Sequence, residues 1–347
     1  LGRLEEAQIA LDRCRILGAS ADSYESADAS TPDMREAFDA RVVHLVRAYG
    51  RLESCDWGDL ESYRRKFTEL VHDDATAPLG AVSLAYPAMM LGLPPQTQLR
   101  LAQNTANHYV SAAMAATGST EGGERIRIGY VSSDFRDHPM AHVLAPLLAR
   151  HDKNRFEVFG YALCPDDGSD YRRNIARACD HFQDVTAVAT ADIAARIVRD
   201  RIDILVNLNG YTSGHRTELF AMRPALVQAS YFGFPATMGA PFIDYLIADR
   251  TVVPERDVEW YAESLVWLPN CYFSGDPDEH VPPAPSRGEA GLPASGVVYC
   301  DFNQHAKITP DVFGVWIRIL GRVPNSVLWL LSGPGDANLR RHAGSAG

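Results

Sequence analysis

From Arg125 onward, short continuous apolar runs alternate with stretches of helical period, and that alternation leaves few folds open to the chain. The segment from Arg125 to His142 reads RIRIGYVSSDFRDHPMAH. Ile126, Ile128 and Tyr130 share one face and Arg127, Gly129 and Val131 the other, the period of a strand that ends near Ser132. Polar turn formers follow. Met140, Val143, Leu144, Leu147 and Leu148 then recur at helical spacing, so a helix is predicted from about His138, with Pro139 in the first turn, where proline is tolerated. Further strands are predicted at 156–163, 202–208, 226–232, 245–249 and 265–269, with helices at 139–150, about 170–180 and 191–200. Apolar strands alternating with such helices imply a mostly parallel sheet covered on both faces. Ligands of such sheets bind beyond the carboxyl ends of the strands, where helix starts favour negative charge. Four polar loops are expected on that rim: SSDFRDHP, CPDDGSDYR, NGYTSGHRTE and GFPATMGAP.

The flanks differ in character. Leu1, Leu4, Ala7, Leu11 and Cys14 form one amphipathic stripe, and further helices are predicted around 38–49, 57–71 and 96–114. The phrase GRLEEA resembles the second half of a tetratricopeptide unit, although any amphipathic helix could read the same. The expected domains are a helical region at 1–117, an α/β lobe at 125–272, a proline-rich linker at 273–294 and the start of a second α/β lobe at 295–347. GSTEGGE marks the first boundary. The second lobe should hold strands near 297–303 and from 326, and between them a helix capped by Thr309 with Val312, Val315, Trp316, Ile319 and Leu320 as its apolar stripe. Two parallel strands do not make a domain, so this lobe is expected to be truncated and the chain a fragment cut at both ends.

His138 stands at the mouth of its predicted helix, where a neutral imidazole can take a proton from a hydroxyl or donate a hydrogen bond to an anionic ligand. A helix-start histidine without a ligand fits the same pattern. His181, in DHFQDV just past a helix, is a second possible rim imidazole or a structural one. Lys307, just before a helix, offers a compact charge to phosphate with Gln304 beside it, or is an ordinary surface lysine. Arg216 could clamp a carboxylate or phosphate, or pair locally. Asp166 and Asp167 in PDDGSD read as turn and N-cap residues rather than paired catalytic carboxylates. Asp276 and Asp278 have the spacing of some metal sites but lie in the linker rather than at a strand end, so no metal is expected. No glycine-rich phosphate loop, nucleophile elbow or zinc helix follows a predicted strand, which disfavours nicotinamide, flavin and P-loop chemistry.

A 347-residue chain, 46% hydrophobic and 22% charged, can bury a sizeable core in two or three domains. The net charge of -11, with no basic cluster interleaved with aromatics, argues against nucleic-acid binding. No run of about 18 apolar residues and no basic-then-apolar leader is present, so no membrane association is expected. The six cysteines show no C-x-x-C pairing, and Cys164 and Cys300 lie in or beside apolar runs, as expected for buried free thiols in a reducing, cytoplasmic setting.

Together RIRIGYVSSDFRDHPMAH, FEVFGYALCPDDGSDYR, the long segment from ILVNLNGYTSGHRTELF to FPATMGAPFIDYLIAD, and VYCDFNQHAKITP with VPNSVLWLLSGPG resemble the O-linked N-acetylglucosamine transferases and their plant SPINDLY relatives. The resemblance covers roughly residues 125–335. It implies a glycosyltransferase B type of α/β fold, with a Rossmann-like N-terminal catalytic lobe, a truncated second Rossmann-like lobe and a tetratricopeptide-like helical start. It implies inverting transfer of N-acetylglucosamine from UDP to serine or threonine hydroxyls of proteins, with no metal or other cofactor. By resemblance His138 lies beside the reaction centre and His181 is a second participant. Arg216 matches a G-x-R-x-E loop, Gly233 and Pro235 border the sugar pocket, and Gln304 and Lys307 hold the diphosphate. Three departures stand out: Ala236 and Met238 alter the sugar-side loop, Ala306 replaces an aromatic before the lysine, and the base-binding half of the second lobe is absent. The fragment is therefore expected to be inactive alone. A SPINDLY-type fucosyltransferase using GDP-fucose and a non-catalytic interaction module are the alternatives.

Overall fold

The computed structural model describes residues 48–72, 85–110, 123–275 and 283–345. The first predicted helix, most of the second, the tetratricopeptide-like phrase and the Asp276/Asp278 pair lie outside the described residues. In chain order the elements are α1 (Leu60–His72), α2 (Ala85–Met90), α3 (Pro95–Val110), β1 (Ile126–Ser132), α4 (Pro139–Ala149), β2 (Phe156–Ala162), α5 (Asp170–Ala178), β3 (His181–Asp184), α6 (Thr190–Arg199) and β4 (Ile204–Asn207). There follow α7 (Thr217–Ala221), β5 (Val227–Ser230), β6 (Tyr245–Ala248), β7 (Ser264–Trp267), β8 (Val298–Asp301), α8 (Pro310–Arg322), β9 (Val327–Leu330) and α9 (Asp336–Ser345), with short 3₁₀ turns at Glu255–Trp260 and His305–Lys307. The chain divides into two compact units.

In the larger unit β1 to β7 form one parallel sheet of order β3-β2-β1-β4-β5-β6-β7. β1 pairs with β2 on one side, Ile128 opposite Val158, and with β4 on the other, Ile128 opposite Ile204. The winding direction therefore reverses between β1 and β4. Parallel strands carry an apolar layer on each face, and the side chains divide accordingly. Val131, Phe159, Tyr161 and Leu205 pack with α6 (Ile193, Ala194, Ile197), α7 and α3. Ile128, Tyr130, Val158 and Val206 pack with α4 (Ala141, Leu144, Leu148) and α5 (Ile175). Burying Ile193 and Ile197 completely contributes roughly 2 kcal/mol each.

The compact units cut the chain differently from the expected boundary at Gly118–Glu124. Ala102 and Ala106 of α3 are buried in the same core as Tyr211 and Met238, so this helix is a layer of the sheet unit rather than part of a separate helical domain. Residues 48–72 group with 283–345.

That smaller unit holds the parallel pair β8–β9, with a core of Cys55, Ile308, Phe313 and Leu339 and with Trp57 stacked on His342 at 4.6 Å. Thr309 caps α8 as predicted, its hydroxyl oxygen accepting from the Val312 amide at 3.3 Å. The apolar stripe of α8 is displaced from the expected one. Phe313, Trp316 and Ile317 face the core while Val312, Val315 and Ile319 are exposed, because the packed face is the one turned toward Cys55 and Trp57. Cys300 on β8, expected to be buried, is exposed, and so is Cys271 after β7, whereas Cys55, Cys164 and Cys179 are buried. No helix among the described residues is long and apolar enough to cross a membrane.

Candidate functional site

The reversal between β1 and β4 is where a doubly wound sheet opens a crevice at its carboxyl edge, and the sequence places buried amides there. Asn207 and Asn209 interrupt the apolar run ILVNLN and are almost fully buried, at 3% and 1% exposure. A buried amide is costly unless satisfied, and both are satisfied by the rim loops. Asn207 Oδ1 accepts from the Asn209 and Gly210 amides, each at 3.0 Å. Asn209 crosses to the loop after β1: its Oδ1 accepts from the Ser133 amide at 2.9 Å, while its Nδ2 donates to Ser133 Oγ at 2.7 Å and Asp134 Oδ2 at 3.0 Å. The two loops are thereby locked together.

His138 is the N-cap of α4, as its position before Pro139 predicts, but the cap is made by the ring: Nδ1 accepts from the Met140 amide at 3.2 Å. The neutral ring therefore carries its proton on Nε2, which lies 3.8 Å from Asp134 Oδ1. Burial pushes the imidazole below its ordinary value, Arg136 and His142 add to this, and Asp134 opposes it. At neutral pH His138 is uncharged. His215, in the loop after β4, is likewise neutral: burial pushes it down to about 4, and it pairs with Thr217 Oγ1 at 2.8 Å.

The expected turn role of Asp166 and Asp167 is found, with Ser169 as the actual cap of α5. Asp167 also reaches the neighbouring loop, its Oδ2 accepting from the Asp137 amide at 2.7 Å. Hydrogen bonds from Asp137 and Ser169 hold its carboxyl down to about 2. A lowered carboxyl contributes to the native state above its ordinary range, and the contribution is lost as pH falls through about 2. Asp167→Asn should therefore speed hydrogen exchange at the Asp137 amide near neutral pH, and the wild type should approach the variant as pH drops from about 4 toward 2. Identical exchange across that window would contradict the link.

The loop after β5 begins with a strained turn. The Gly233 amide donates to Tyr231 O at 3.0 Å and Phe232 between them has φ 64, a γ-turn that a bulky residue rarely adopts. Such strain persists where the surroundings impose it, commonly beside ligand sites. Here Tyr231 and Phe232 stack at 3.8 Å and the Tyr231 hydroxyl donates to Tyr272 O. Gly233 and Pro235 are half-buried at the rim. Ala236 and Met238, the departures in the sugar-side loop, point into the core, where the Met238 sulfur accepts from Asn207 Nδ2 at 3.2 Å and Ser230 Oγ at 3.3 Å. Beneath them Glu263, 4% exposed, accepts from Thr237 Oγ1 at 2.7 Å and the Met238 amide at 2.6 Å.

Two expected site residues are placed elsewhere. His181 opens β3 opposite Phe159, at the amino end of the strand rather than at the rim, stacked on Phe159 with its Nε2 2.9 Å from Glu157 Oε1. The register of an edge strand that begins there leaves no other place for it. Arg216 clasps the chain after β3, donating to Val188 O at 2.6 Å and Thr186 O at 2.7 Å, so these N–H groups are committed to backbone rather than to a ligand.

In the smaller unit Gln304 and Lys307 are exposed at the carboxyl end of β8, and Lys307 has no ion-pair partner among the described residues. Between them His305 is buried, its Nδ1 accepting from the Gly335 amide and its Nε2 donating to Leu331 O, both at 2.8 Å. The turn that presents the lysine is thus pinned to the end of β9. Ala306 is buried at 2% exposure, so its position faces inward and offers no stacking surface. Among the described residues no group of three or more His, Cys, Asp or Glu is arranged to hold a metal ion.

Sequence reasoning singles out neither Asp134, Asn209 nor Glu263. A signal for the first two existed in the polar residues that close β1 and break the apolar run of β4; for Glu263 there was none.

Comparison with known proteins follows the same lines. The family described as Glycosyl transferase family 41 matches residues 54–283 and 279–347. The chain is 45% identical over 236 residues to an Arabidopsis thaliana protein named as the probable UDP-N-acetylglucosamine peptide N-acetylglucosaminyltransferase SEC, covering 65% of this chain and 24% of that protein. A Caenorhabditis elegans protein named as UDP-N-acetylglucosamine peptide N-acetylglucosaminyltransferase is 27% identical, with 83% of this chain and 36% of that one covered. The SPINDLY protein of Arabidopsis thaliana, named for the same activity, is 36% identical over 207 residues, 58% of this chain and 22% of its own. The chain thus spans between 22% and 36% of the length of these relatives. A variant O-GlcNAc transferase of Thermobaculum terrenum superposes with a TM-score of 0.72 at 28% identity, covering 88% of this chain and 58% of that one. The expected glycosyltransferase B type of fold is borne out by that likeness; the tetratricopeptide-like start lies outside the described residues.

Proposed function

Because the chain belongs to glycosyl transferase family 41, we propose that its protein moves N-acetylglucosamine from UDP-N-acetylglucosamine to serine and threonine hydroxyls of proteins, with inversion at the sugar carbon. The supporting observation is the locked rim at the β1/β4 reversal, in a chain 45% identical over 236 residues to a relative named for that activity. In this reading the acceptor oxygen bonds to the sugar carbon on one face while the bond to the diphosphate breaks on the other, the electron pair leaving with UDP and the hydroxyl proton passing to water. Negative charge grows on the leaving group, and by resemblance to the family Lys307, without an ion-pair partner among the described residues, is the cation that meets that need, with Gln304 as a donor. His138, with Nδ1 occupied by the Met140 amide, presents an N–H and serves as a hydrogen-bond donor near the sugar and the incoming hydroxyl. His181 and Arg216 hold structure and take no part in this scheme.

Full-length protein incubated with radiolabelled UDP-N-acetylglucosamine and a serine-rich peptide is expected to label the peptide. Lys307→Ala should lower kcat/KM by about 10²- to 10³-fold, the usual scale for losing one charge-stabilising donor. Turnover of GDP-fucose in place of the UDP-sugar would overturn the donor assignment, and no transfer from either would overturn the reading as a whole.

A further inference from the structure

Asp134 is a carboxylate with 7% exposure at the carboxyl end of a central strand, a place where an ion is costly unless every oxygen is answered. Its Oδ2 accepts from Asn209 Nδ2 at 3.0 Å, its amide donates to Ser132 Oγ at 2.9 Å, and Arg136 lies 3.7 Å from Oδ1. Asn209 has little freedom, because the same side chain is tied to the Ser133 amide, Ser133 Oγ and, at 3.4 Å, Thr212 Oγ1. Two loops from two strands therefore converge to hold one negative charge. The other oxygen, Oδ1, accepts from the Ser133 hydroxyl at 3.4 Å, lies 3.7 Å from Arg136, and also faces Nε2 of His138 at 3.8 Å. That is too long for a direct hydrogen bond but close enough for the charge to orient an N–H, directly or through one water. The far side of the ring is held by the Met140 amide.

We infer that Asp134, clamped by Asn209, is a positioning residue for His138, fixing the ring with its proton on Nε2 and its Nδ1 in the helix cap. The inference rests on the proposed transferase reading only for its functional consequence; the geometry of the ring stands by itself. The charged and titratable groups facing His138 are Asp134 and Arg136 on its own loop and His142 one turn along α4, while the loop after β4 contributes the neutral Asn209. The loop after β2 contributes Asp167, which reaches the Asp137 amide rather than the ring.

The test is a long-range ¹H–¹⁵N NMR titration of His138 in the chain, wild type against Asp134→Asn and Asn209→Ala. In the wild type the neutral ring should show the Nε2–H pattern; the Nδ1–H pattern would overturn the inference without any variant having to fold. In Asp134→Asn, which keeps the shape and removes the charge, the His138 midpoint should fall by about one pH unit, and Asn209→Ala should move it the same way by less. An unmoved midpoint in a folded Asp134→Asn would overturn it as well. In full-length protein the acidic limb of the kcat/KM profile should shift with the NMR midpoint. Absence of transfer in the wild type would remove the transferase reading and leave the ring geometry to be judged by NMR alone.

Discussion

Gly233→Ala is expected to destabilise the sheet unit by about 3 kcal/mol and to displace the loop that borders the rim. A β-carbon at this position would lie 2.0 Å from the Leu208 carbonyl oxygen and 3.0 Å from its carbon, in the backbone just after β4. Backbone cannot step aside as the tip of a side chain can, because Asn207 ties the amides of Asn209 and Gly210 and the strand itself is paired on both sides. The residue before it already carries the strain of the γ-turn, so the turn has no slack from which to yield. The next loop approaches as closely: Gly210, at φ 56, would place a β-carbon 2.3 Å from Phe234 Cβ. Calorimetry should register the Gly233 change as a fall in Tm of roughly 6–12 °C for a unit of this size. A Tm within a degree or two of wild type would mean that the loop adjusts freely and that its fit to β4 is not a constraint on the rim.

Removing Glu263 should cost about as much for a different reason. Its two oxygens answer the Thr237 hydroxyl and the Met238 amide, all of them buried, and Glu263→Ala leaves both donors facing a void. Orphaning buried donors and losing a charge-assisted bond amounts to about 3 kcal/mol. Thr237 Oγ1 also accepts from the Gly239 and Ala262 amides, so the loss would reach the whole turn between the rim and β6. Glu263→Gln keeps the shape and one of the two acceptors while setting an NH2 against the other donor, so it should cost less than Glu263→Ala but not restore the wild type. The pH dependence separates charge from shape. Burial outweighs the hydrogen bonds and raises the Glu263 carboxyl above its ordinary value. A raised carboxyl contributes stability that is complete below its ordinary range and is lost as pH rises through the raised value. Denaturant midpoints of the wild type should accordingly decline across that interval, and those of Glu263→Gln should not share this component. Parallel profiles for the two proteins would show that Glu263 does not carry the raised proton affinity.

Much of the fold was legible because period is a local property. β1, β2, α4, α5 and α6 fall where apolar spacing put them, and Thr309 caps α8 as its type and place suggest. The misses share a physical origin. β3 is a four-residue edge strand, half-exposed and with no alternation of its own, so His181 read as a loop residue near the rim when pairing with β2 puts it at the opposite end of the strand. The stripe of α8 was misread because Val312, Val315 and Ile319 are as apolar as the face that packs, and only the position of Cys55 and Trp57 decides between the two. Arg216 carries the right chemistry for an anion, yet two backbone carbonyls reach it first.

For the site, sequence alone determined the class of the sheet, the edge at which chemistry would gather, and the placement of His138 at a helix start, since each depends on spacing within a few turns of chain. Its likeness to one family over some two hundred residues also supplied the reading of that edge proposed above. Tertiary structure decided which nitrogen of His138 carries the proton, because that depends on a helix amide on one side and a carboxylate on the other. It decided as well that Asp134 and Asn209, 75 residues apart in sequence, form one unit, and that the side chains of Ala236 and Met238 lie in the core. Such assignments follow from which groups a buried polar atom can reach, and that is set by the pairing of β1 with β4 rather than by any local run of residues.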